Sequence, residues 1–166
     1  MRRLVACSCE LTRFCHEVAG LDAKLAVLLV QLPPSLEFDA AIAAAFFTAL
    51  AKRTEAVLEC EPRHASWFDA RAADSLAERR VARVAADPPR DARDGEPGGW
   101  RGRAYYRMHG APRIYYSDYD AAALRSLNDK LNTQQAVGHS TWYMFDNTAA
   151  FAAVGNALAL RALELS

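Results

Sequence analysis

The chain has 166 residues, of which 52% are hydrophobic, and its 20 basic and 20 acidic side chains give a net charge of zero. This size and composition predict a single domain, and the charge balance gives no electrostatic reason to expect a nucleic acid or an anionic membrane as the main partner. No run approaches the roughly 20 apolar residues of a membrane span, and the apolar run from Leu4 is too short for a signal peptide, so we expect a cytoplasmic protein.

Helical and extended patterns alternate along the chain, and this alternation predicts an α/β fold with parallel strands joined by right-handed crossovers. The predicted strands are residues 24–32, 56–61, 81–86, 104–110 and 139–145, with a long loop over 88–103. The predicted helices are residues 9–25, a helix opened by Asp39 with Ile42, Phe46 and Leu50 on its inner stripe, a helix capped by Ser66 or Asp69 that runs to about 80, then 120–134 and 149–163.

The fourth predicted strand has one chemical face. Because the side chains of a strand alternate, Tyr105, Arg107 and His109 share one side and Tyr106 and Met108 share the other. The strand ends at a glycine, where the chain can turn sharply. In a parallel α/β sheet or barrel, ligands bind at this end of the strands.

Every predicted strand ends in polar residues or is followed directly by them, and in a parallel sheet these ends meet at one edge. The residues concerned are Gln31, Glu61, Arg63, His64, Asp87, Arg107, His109, Asp146 and Asn147. Polar side chains that converge in this way are what a binding site needs, so we expect a small-molecule ligand at this edge.

His109 is the main catalytic candidate, because an imidazole titrates near neutral pH and serves as a general acid or base. The carboxylate candidates are Glu61 and Asp87. Asp87 could orient a histidine, or hold a divalent ion with Glu61 and His109. We assign no metal and leave the cofactor unknown.

The remaining candidates are substrate-binding residues, each with a structural alternative that stays open. Arg63 and Arg107 offer planar donor forks to a carboxylate or phosphate. Equally, Arg63 could pair with Glu61, and Arg107 could be neutralised by Glu61 or Asp87. The other candidates are Gln31 at a strand end, His64 as a ligand or packing residue, and Asn147 as a substrate, turn or cap residue.

Five aromatic residues near the same edge could form a stacking wall for a sugar or a base, although aromatics beside a strand more often pack in the core. These are Tyr105, Tyr115, Tyr116, Tyr119 and Trp142.

The cysteines do not predict a metal site. Cys7, Cys9 and Cys15 lack the CxxC spacing of the usual zinc sites, so we interpret them as reduced thiols. Alternation would turn Cys60 away from the face that carries Glu59 and Glu61, which disfavours Cys60 as a nucleophile.

Six motifs occur in the order and approximate spacing of one family and span the chain from about residue 14 onward. They are Gln31-Leu32-Pro33-Pro34, Glu61-Pro62-Arg63-His64-Ala65-Ser66-Trp67, Ala86-Asp87, Tyr106-Arg107-Met108-His109-Gly110, Tyr116-Ser117 and Phe145-Asp146-Asn147-Thr148. In these motifs the chain resembles the DUF72 (YecE-like) family. The resemblance implies a TIM-barrel-like fold without a well-established activity.

The resemblance also implies that the five strands are the last five of an eight-stranded barrel, so that the expected fold is incomplete. The first three strands of the family, with their Ser-Gly-Trp and Glu-Asn-Ser-Thr-Phe-Tyr stretches, have no counterpart here. A closed barrel takes ~250 residues, and removing three strands exposes two sheet edges. Either the chain starts downstream of the true start, or it is a degenerate remnant, or it forms an open sheet that associates with another copy as a homo-oligomer.

Three functions stay open at this point. The chain could be an enzyme acting on a small polar or anionic substrate, a noncatalytic anion- or sugar-binding module, or an inactive truncated remnant. No GxGxxG, Walker, GxSxG or HExxH motif is present to indicate a reaction.

Overall fold

The computed structural model of the protein describes residues 4–90 and 93–164. The strands, in chain order, are β1 (Val27–Gln31), β2 (Val57–Glu61), β3 (Val81–Arg83), β4 (Ala85–Asp87), β5 (Gly98–Gly99), β6 (Arg103–Met108) and β7 (Ser140–Phe145). The α-helices are α1 (Ser8–Val18), α2 (Ala40–Ala51), α3 (Ala70–Ala77), α4 (Ala121–Ala136) and α5 (Ala152–Glu164), and 3₁₀ helices cover Ala19–Lys24 and Ala65–Phe68.

The chain divides into two compact units, each with its own sheet and its own hydrophobic core. The first unit is Met1–Arg83 with Gly98–Trp100, and the second is Val84–Pro97 with Arg101–Ser166. The prediction of a single domain stays a prediction.

The first unit is built on a sheet in the order β1-β2-β3-β5. Its first three strands run parallel, in the register Gln31↔Glu61 and Cys60↔Arg83, and β5 runs antiparallel to β3. Helices α2 and α3 follow β1 and β2, as the strand-helix alternation predicted. The core contains Leu28, Phe47, Leu50, Leu58, Trp67 and Leu76.

The second unit is built on a parallel sheet in the order β4-β6-β7. Its register pairs Asp87 with Met108 and Met108 with Phe145. Tyr106 and Met108 belong to the core of this unit, as the alternation of the fourth predicted strand indicated. The site-bearing ends of three strands therefore lie side by side in this sheet.

Aspartate side chains start three of the helices. Asp39 Oδ1 accepts a hydrogen bond from the backbone N–H three residues further on at 2.9 Å, and Asp69 and Asp120 do the same at 2.8 Å. Each carboxylate thus satisfies one of the N–H groups that a helix leaves without a partner. Asp39 and Asp69 were predicted as caps, whereas the Ser66 hydroxyl accepts from the Phe38 N–H instead.

The first predicted helix was too long. The α-helix ends at Val18, and a 3₁₀ segment replaces it as far as Lys24. Gly20 lies in this segment, and glycine has among the weakest helix propensities because it loses the most backbone entropy. Leu11, Phe14, Val18 and Leu21 lie at helical spacing in the predicted helix, but Phe14 and Leu21 are exposed.

The predicted inner stripe of α2 was also wrong in part. Leu50 is buried as predicted, but the other buried residues are Ala43 and Phe47, while Ile42 and Phe46 are only half-buried. Almost every residue of this helix is apolar, so the spacing of apolar residues does not select one face.

The first and third predicted strands differ from the structure as well. The continuous apolar run of residues 25–30 predicts a buried parallel strand. β1 is parallel, but it lies at the edge of its sheet with Leu29 exposed. The third strand is two strands, because the ladder is interrupted at Val84 and the two halves join different sheets.

The predicted loop over 88–103 contains the short strand β5. Gly99 has φ +64°, and a Cβ atom there would lie 2.6 Å from the Val81 carbonyl oxygen. The close antiparallel approach to β3 therefore requires a glycine, a role that the glycine-rich composition alone does not reveal.

Two stacked tyrosines in the second core differ in one respect. The rings of Tyr106 and Tyr143 stack with centroids 4.6 Å apart. The Tyr143 hydroxyl donates to the Leu127 carbonyl oxygen at 3.1 Å. The Tyr106 hydroxyl is buried and has no hydrogen-bond partner within residues 4–90 and 93–164.

We expect Tyr106→Phe to raise the free energy of unfolding by about 1 kcal/mol, because it removes a buried hydroxyl that pays for desolvation without a hydrogen bond. The matched variant Tyr143→Phe should lower it by about 1 kcal/mol, because its hydroxyl is bonded. Urea unfolding followed by circular dichroism measures both. A destabilised Tyr106→Phe protein would contradict the assignment.

The buried hydroxyl of Tyr106 also predicts a loss of stability at high pH. Burial, and secondarily the charge of Glu96, raises the pKa of Tyr106 from 10.0 to about 12. Between these values the unfolded chain releases a proton that the folded chain keeps, so the stabilising contribution present below pH 10.0 is lost as the pH rises towards about 12. Tyr106→Phe should lose less stability over this interval than the wild type.

Candidate functional site

The second unit brings three ionisable side chains together at the carboxyl end of its sheet. Asp146 Oδ2 accepts a hydrogen bond from Arg107 Nη2 at 2.5 Å and lies 3.0 Å from His109 Nδ1. Since a carboxylate can only accept, the neutral imidazole carries its proton on Nδ1 and its lone pair on Nε2. We call Arg107, His109 and Asp146 the His109 cluster.

The parallel ladder continues past the last strand residues and positions this cluster. The His109 N–H donates to the Asp87 carbonyl oxygen at 2.7 Å, and the Asp146 N–H donates to the Met108 carbonyl oxygen at 2.8 Å. These bonds hold residues of neighbouring strands at the same level, so His109 and Asp146 face each other although 37 positions separate them in the chain.

Gly110 allows the chain to leave the site sharply. Its φ is +90°, and a Cβ atom there would lie 2.7 Å from the Ser117 carbonyl oxygen. The Gly110 N–H donates to the Tyr119 hydroxyl at 2.8 Å. Glycine is therefore required by the turn and by this close approach, as the sequence predicted for the end of the strand.

Asp87 is engaged by a buried tyrosine. The Tyr119 hydroxyl donates to Asp87 Oδ2 at 2.6 Å. Burial raises the pKa of Tyr119 well above its usual value, and the hydrogen bond to Asp87 raises it further. A cleft of about 360 Å³ lies next to Asp87 and Tyr119. Its lining also includes Lys130 but not His109. Asp87 thus adjoins a space large enough for a small ligand.

Asn147 belongs to a buried amide network. Its Nδ2 donates to the Ser117 carbonyl oxygen at 2.9 Å and to Asn156 Oδ1 at 2.8 Å. Its Oδ1 is buried and has no hydrogen-bond partner in the described part of the chain. The donor side of this amide therefore holds the fold together, and only the acceptor side is left to orient a ligand.

The first unit holds the other predicted site residues. Arg63 Nη2 donates to Glu61 Oε1 at 2.9 Å, which is the ion pair offered as the structural alternative. His64 Nδ1 lies 2.9 Å from Ser66 Oγ and accepts from the Ser66 N–H at 3.3 Å, so His64 stabilises its own loop. Gln31 is exposed at the end of β1.

Asp146 is a partner of Arg107 that was not predicted for it. It pairs with Arg107 because it follows β7, which is the neighbour of β6 in the sheet. The signal for this was present, since Asp146 is the first residue after a predicted strand, but the order of strands in the sheet cannot be read from the chain.

The five predicted aromatic residues do not form one wall. Tyr105 stacks on Trp142, with centroids 6.4 Å apart, and Tyr119 is buried. The Arg113 guanidinium lies 3.7 Å from the ring centroid of Tyr116. The ring of Tyr115 contacts the imidazole of His109 edge to face, with centroids 5.6 Å apart.

Cys60 is fully buried in the first core, on the side away from the site face, as predicted. Burial raises the pKa of its thiol far above the usual value, with smaller contributions of opposite sign from Arg83, which lowers it, and from Glu61 and Glu59, which raise it. A thiol held protonated in this way does not act as a nucleophile.

Two kinds of feature are absent from the described residues, 4–90 and 93–164. No group of three or more histidine, cysteine, aspartate or glutamate side chains is placed to hold a metal ion. No helix in the same ranges is long and apolar enough to cross a membrane.

Comparison with solved structures finds similar folds at low identity. A DUF72 family protein from Thermotoga maritima is 20% identical, with a TM-score of 0.78 over 96% of this chain and 66% of that one. A DUF72 family protein from Enterococcus faecalis matches in two structures, at 18% and 20% identity with TM-scores of 0.77 and 0.75. The alignments cover 98% and 94% of this chain and 68% of that protein in each structure.

The chain thus spans about two thirds of the length of the solved proteins that it resembles. No curated protein matches it. The model of the family described as protein of unknown function DUF72 matches residues 1–165, which is nearly the whole chain. The chain therefore belongs to the DUF72 family, as its motifs indicated.

Proposed function

We propose that the second unit carries the reactive centre of an enzyme that acts on a small polar substrate, with His109 as the general acid or base. The observation that carries this proposal is the His109 cluster, in which one carboxylate oxygen meets both the imidazole and the guanidinium. A histidine oriented by a carboxylate is a recurrent arrangement for proton transfer.

The geometry supports a division of roles. His109 Nε2 would take a proton from a substrate hydroxyl or a water molecule, and Asp146 would stabilise the positive charge that the imidazole then carries. Arg107 balances the charge of Asp146 in the resting site. Asp87, next to the cleft, is the second carboxylate of the proposed site, and the Asn147 Oδ1 acceptor would orient a substrate donor.

The charges favour a neutral polar substrate over an anionic one in this unit. Arg107 is paired with Asp146, and Asp87 adds a further carboxylate, so the described side chains around His109 carry no excess of positive charge. The first-unit candidates Gln31, Glu61, Arg63 and His64 stay predictions, with Arg63 as the donor for an anionic group.

We expect His109→Gln to lower turnover by a factor of about 10²–10⁴, the usual loss when a general acid or base is removed. The wild-type protein is incubated in D₂O with a panel of monosaccharides and monosaccharide phosphates, and NMR follows new signals and deuterium incorporation. His139→Gln is the matched control, because His139 lies at the opposite end of β7 and contacts Gln134. It should turn over at the wild-type rate.

Equal turnover by His109→Gln and the wild type would refute the role of His109. Saturable binding without conversion would support the second candidate, a noncatalytic sugar- or anion-binding module, which is favoured by the low exposure of His109 (5%). A near-ultraviolet circular dichroism melt of each variant is the folding control. A broad melt without an aromatic signal would indicate the third candidate, an inactive remnant.

The proposal extends to architecture. In each unit the strand-helix alternation and the parallel pairing support an incomplete TIM-barrel-like fold whose strands correspond to the later part of an eight-stranded barrel. β1 and β7 are edge strands of their sheets, which supports association of copies through exposed edges. Sedimentation velocity of the cytoplasmically expressed chain would detect such a homo-oligomer.

A further inference from the structure

We infer that Tyr115 determines the specificity of the proposed site, and that its ring is the surface on which a cyclic, hydroxyl-rich ligand such as a monosaccharide stacks. The inference rests on the proposed function, because it assigns a ligand class to the site around His109.

Tyr115 is the exposed neighbour of a buried histidine. Its ring meets the imidazole of His109 edge to face, with centroids 5.6 Å apart and planes at 89°. Tyr115 is 41% exposed, whereas His109 is 5% exposed. A ligand bound on the exposed part of this ring is therefore held beside the imidazole.

The backbone of Tyr115 is strained and held on both sides. Its φ is +70°, a left-handed conformation that glycine and asparagine adopt more readily than a bulky residue. The Tyr115 N–H donates to the His109 carbonyl oxygen at 2.6 Å, and the Tyr115 carbonyl oxygen accepts from the Ala149 N–H at 3.0 Å. Such strained residues persist where the surroundings impose them, and they cluster at ligand sites. This backbone conformation favours glycine or asparagine, so the turn does not explain why a tyrosine occupies the position.

The other aromatic residues of this region are committed elsewhere. Tyr105 stacks on Trp142, and Tyr119 is buried with its hydroxyl bonded to Asp87. One face of Tyr116 is covered by the Arg113 guanidinium. Among these aromatic residues of the described chain, Tyr115 combines an exposed ring with a contact to the His109 cluster.

The neighbouring charges select the ligand class. Asp146 and Asp87 supply carboxylate oxygens, which accept hydrogen bonds from hydroxyl groups. The positive charge of Arg107 is matched by Asp146, so a free anion gains little there. An aromatic face beside hydrogen-bond acceptors fits a sugar ring, which presents C–H groups on its face and hydroxyls on its edge.

The test compares each sugar with its own open-chain alcohol by ligand-observed NMR titration. The probe pairs are D-glucose with D-sorbitol, D-galactose with galactitol and D-ribose with ribitol, and inorganic phosphate is the anionic probe. Within a pair the carbon number is the same and the ring is lost, so the ratio of affinities reports stacking. We expect at least one sugar to bind the wild type roughly threefold to tenfold more tightly than its alcohol.

Tyr115→Asn removes the ring and keeps a residue that tolerates positive φ, so we expect it to retain the melting temperature and to abolish the preference for the sugar. Tyr115→Phe should retain the preference. Tyr116→Asn is the matched control and should also retain it, because Tyr116 is exposed to a similar extent, 44%, but is covered by Arg113.

Several results would overturn the inference. Equal affinity of sugar and alcohol for the wild type would do so without any variant, and so would a preference that survives in Tyr115→Asn. Both leave the proposed function intact. Binding of inorganic phosphate in place of the sugars would refute the ligand class. No binding of any probe, together with no conversion in the turnover panel, would refute the proposed function and the inference with it.

Discussion

Replacing Phe47 with alanine is expected to lower the free energy of unfolding by about 3–5 kcal/mol, the usual cost of removing a fully buried phenylalanine ring. Phe47 is 1% exposed and lies in the core of the first unit with Leu50 and Trp67. The loss combines the transfer of the ring out of an apolar environment with the cavity that it leaves. Guanidinium unfolding followed by tryptophan fluorescence measures the loss.

Phe46→Ala is the matched control, since the two residues are adjacent and their rings contact each other edge to face at 5.3 Å. Phe46 is half-buried, so its loss should cost about 1–2 kcal/mol, in proportion to the smaller apolar area removed from water. An equal or larger effect of Phe46→Ala would show that α2 presents the face predicted from the sequence. The structural assignment of the helix face would then be wrong.

Asn156→Ala is expected to lower the free energy of unfolding by about 3 kcal/mol, because it leaves several buried polar groups without partners. Asn156 Nδ2 donates to Asp118 Oδ1 at 2.6 Å and to the Tyr119 carbonyl oxygen at 3.1 Å. Its Oδ1 accepts from the Tyr119 N–H at 3.3 Å and from Asn147 Nδ2 at 2.8 Å. The side chain therefore ties α5 to the loop that carries Tyr119.

Asn132→Ala provides the comparison, because Asn132 has the same side chain on an exposed position of α4. We expect this change to alter the free energy of unfolding by no more than about 0.5 kcal/mol. Thermal unfolding followed by circular dichroism measures both variants. Similar effects of the two substitutions would contradict the buried network. Asn156 could not be predicted from the sequence, since one asparagine in an alanine-rich helix has no periodic signal.

The cost of this network bears on the proposed site. Asn156 holds Tyr119 and Asn147, Tyr119 contacts Asp87, and Asn147 directly follows Asp146. A substitution at Asn156 therefore loosens residues on both sides of the His109 cluster. Holding these loops in position is a physical reason for the amide of Asn156 in a helix whose other residues are mostly small and apolar.

Local patterns in the sequence determined the elements and the face of the central strand. Short apolar runs predicted strands because a strand that is covered on both faces consists mainly of apolar residues. Aspartates predicted helix starts because a carboxylate accepts hydrogen bonds from the free N–H groups of the first turn. Alternation placed Arg107 and His109 on one side of β6, and their shared contact with Asp146 confirms it. The type of an element and the face of a strand both depend on neighbours along the chain, so they can be predicted from the sequence.

Only the tertiary structure decided which elements meet. The partner of Arg107 and His109 depends on β7 lying beside β6, and the burial of Phe47 rather than Phe46 depends on what packs against α2. The interruption at Val84 depends on which sheet each half of the strand joins. These choices are made by contacts between residues that are distant in the chain, where many pairings satisfy the same local pattern and packing selects one of them.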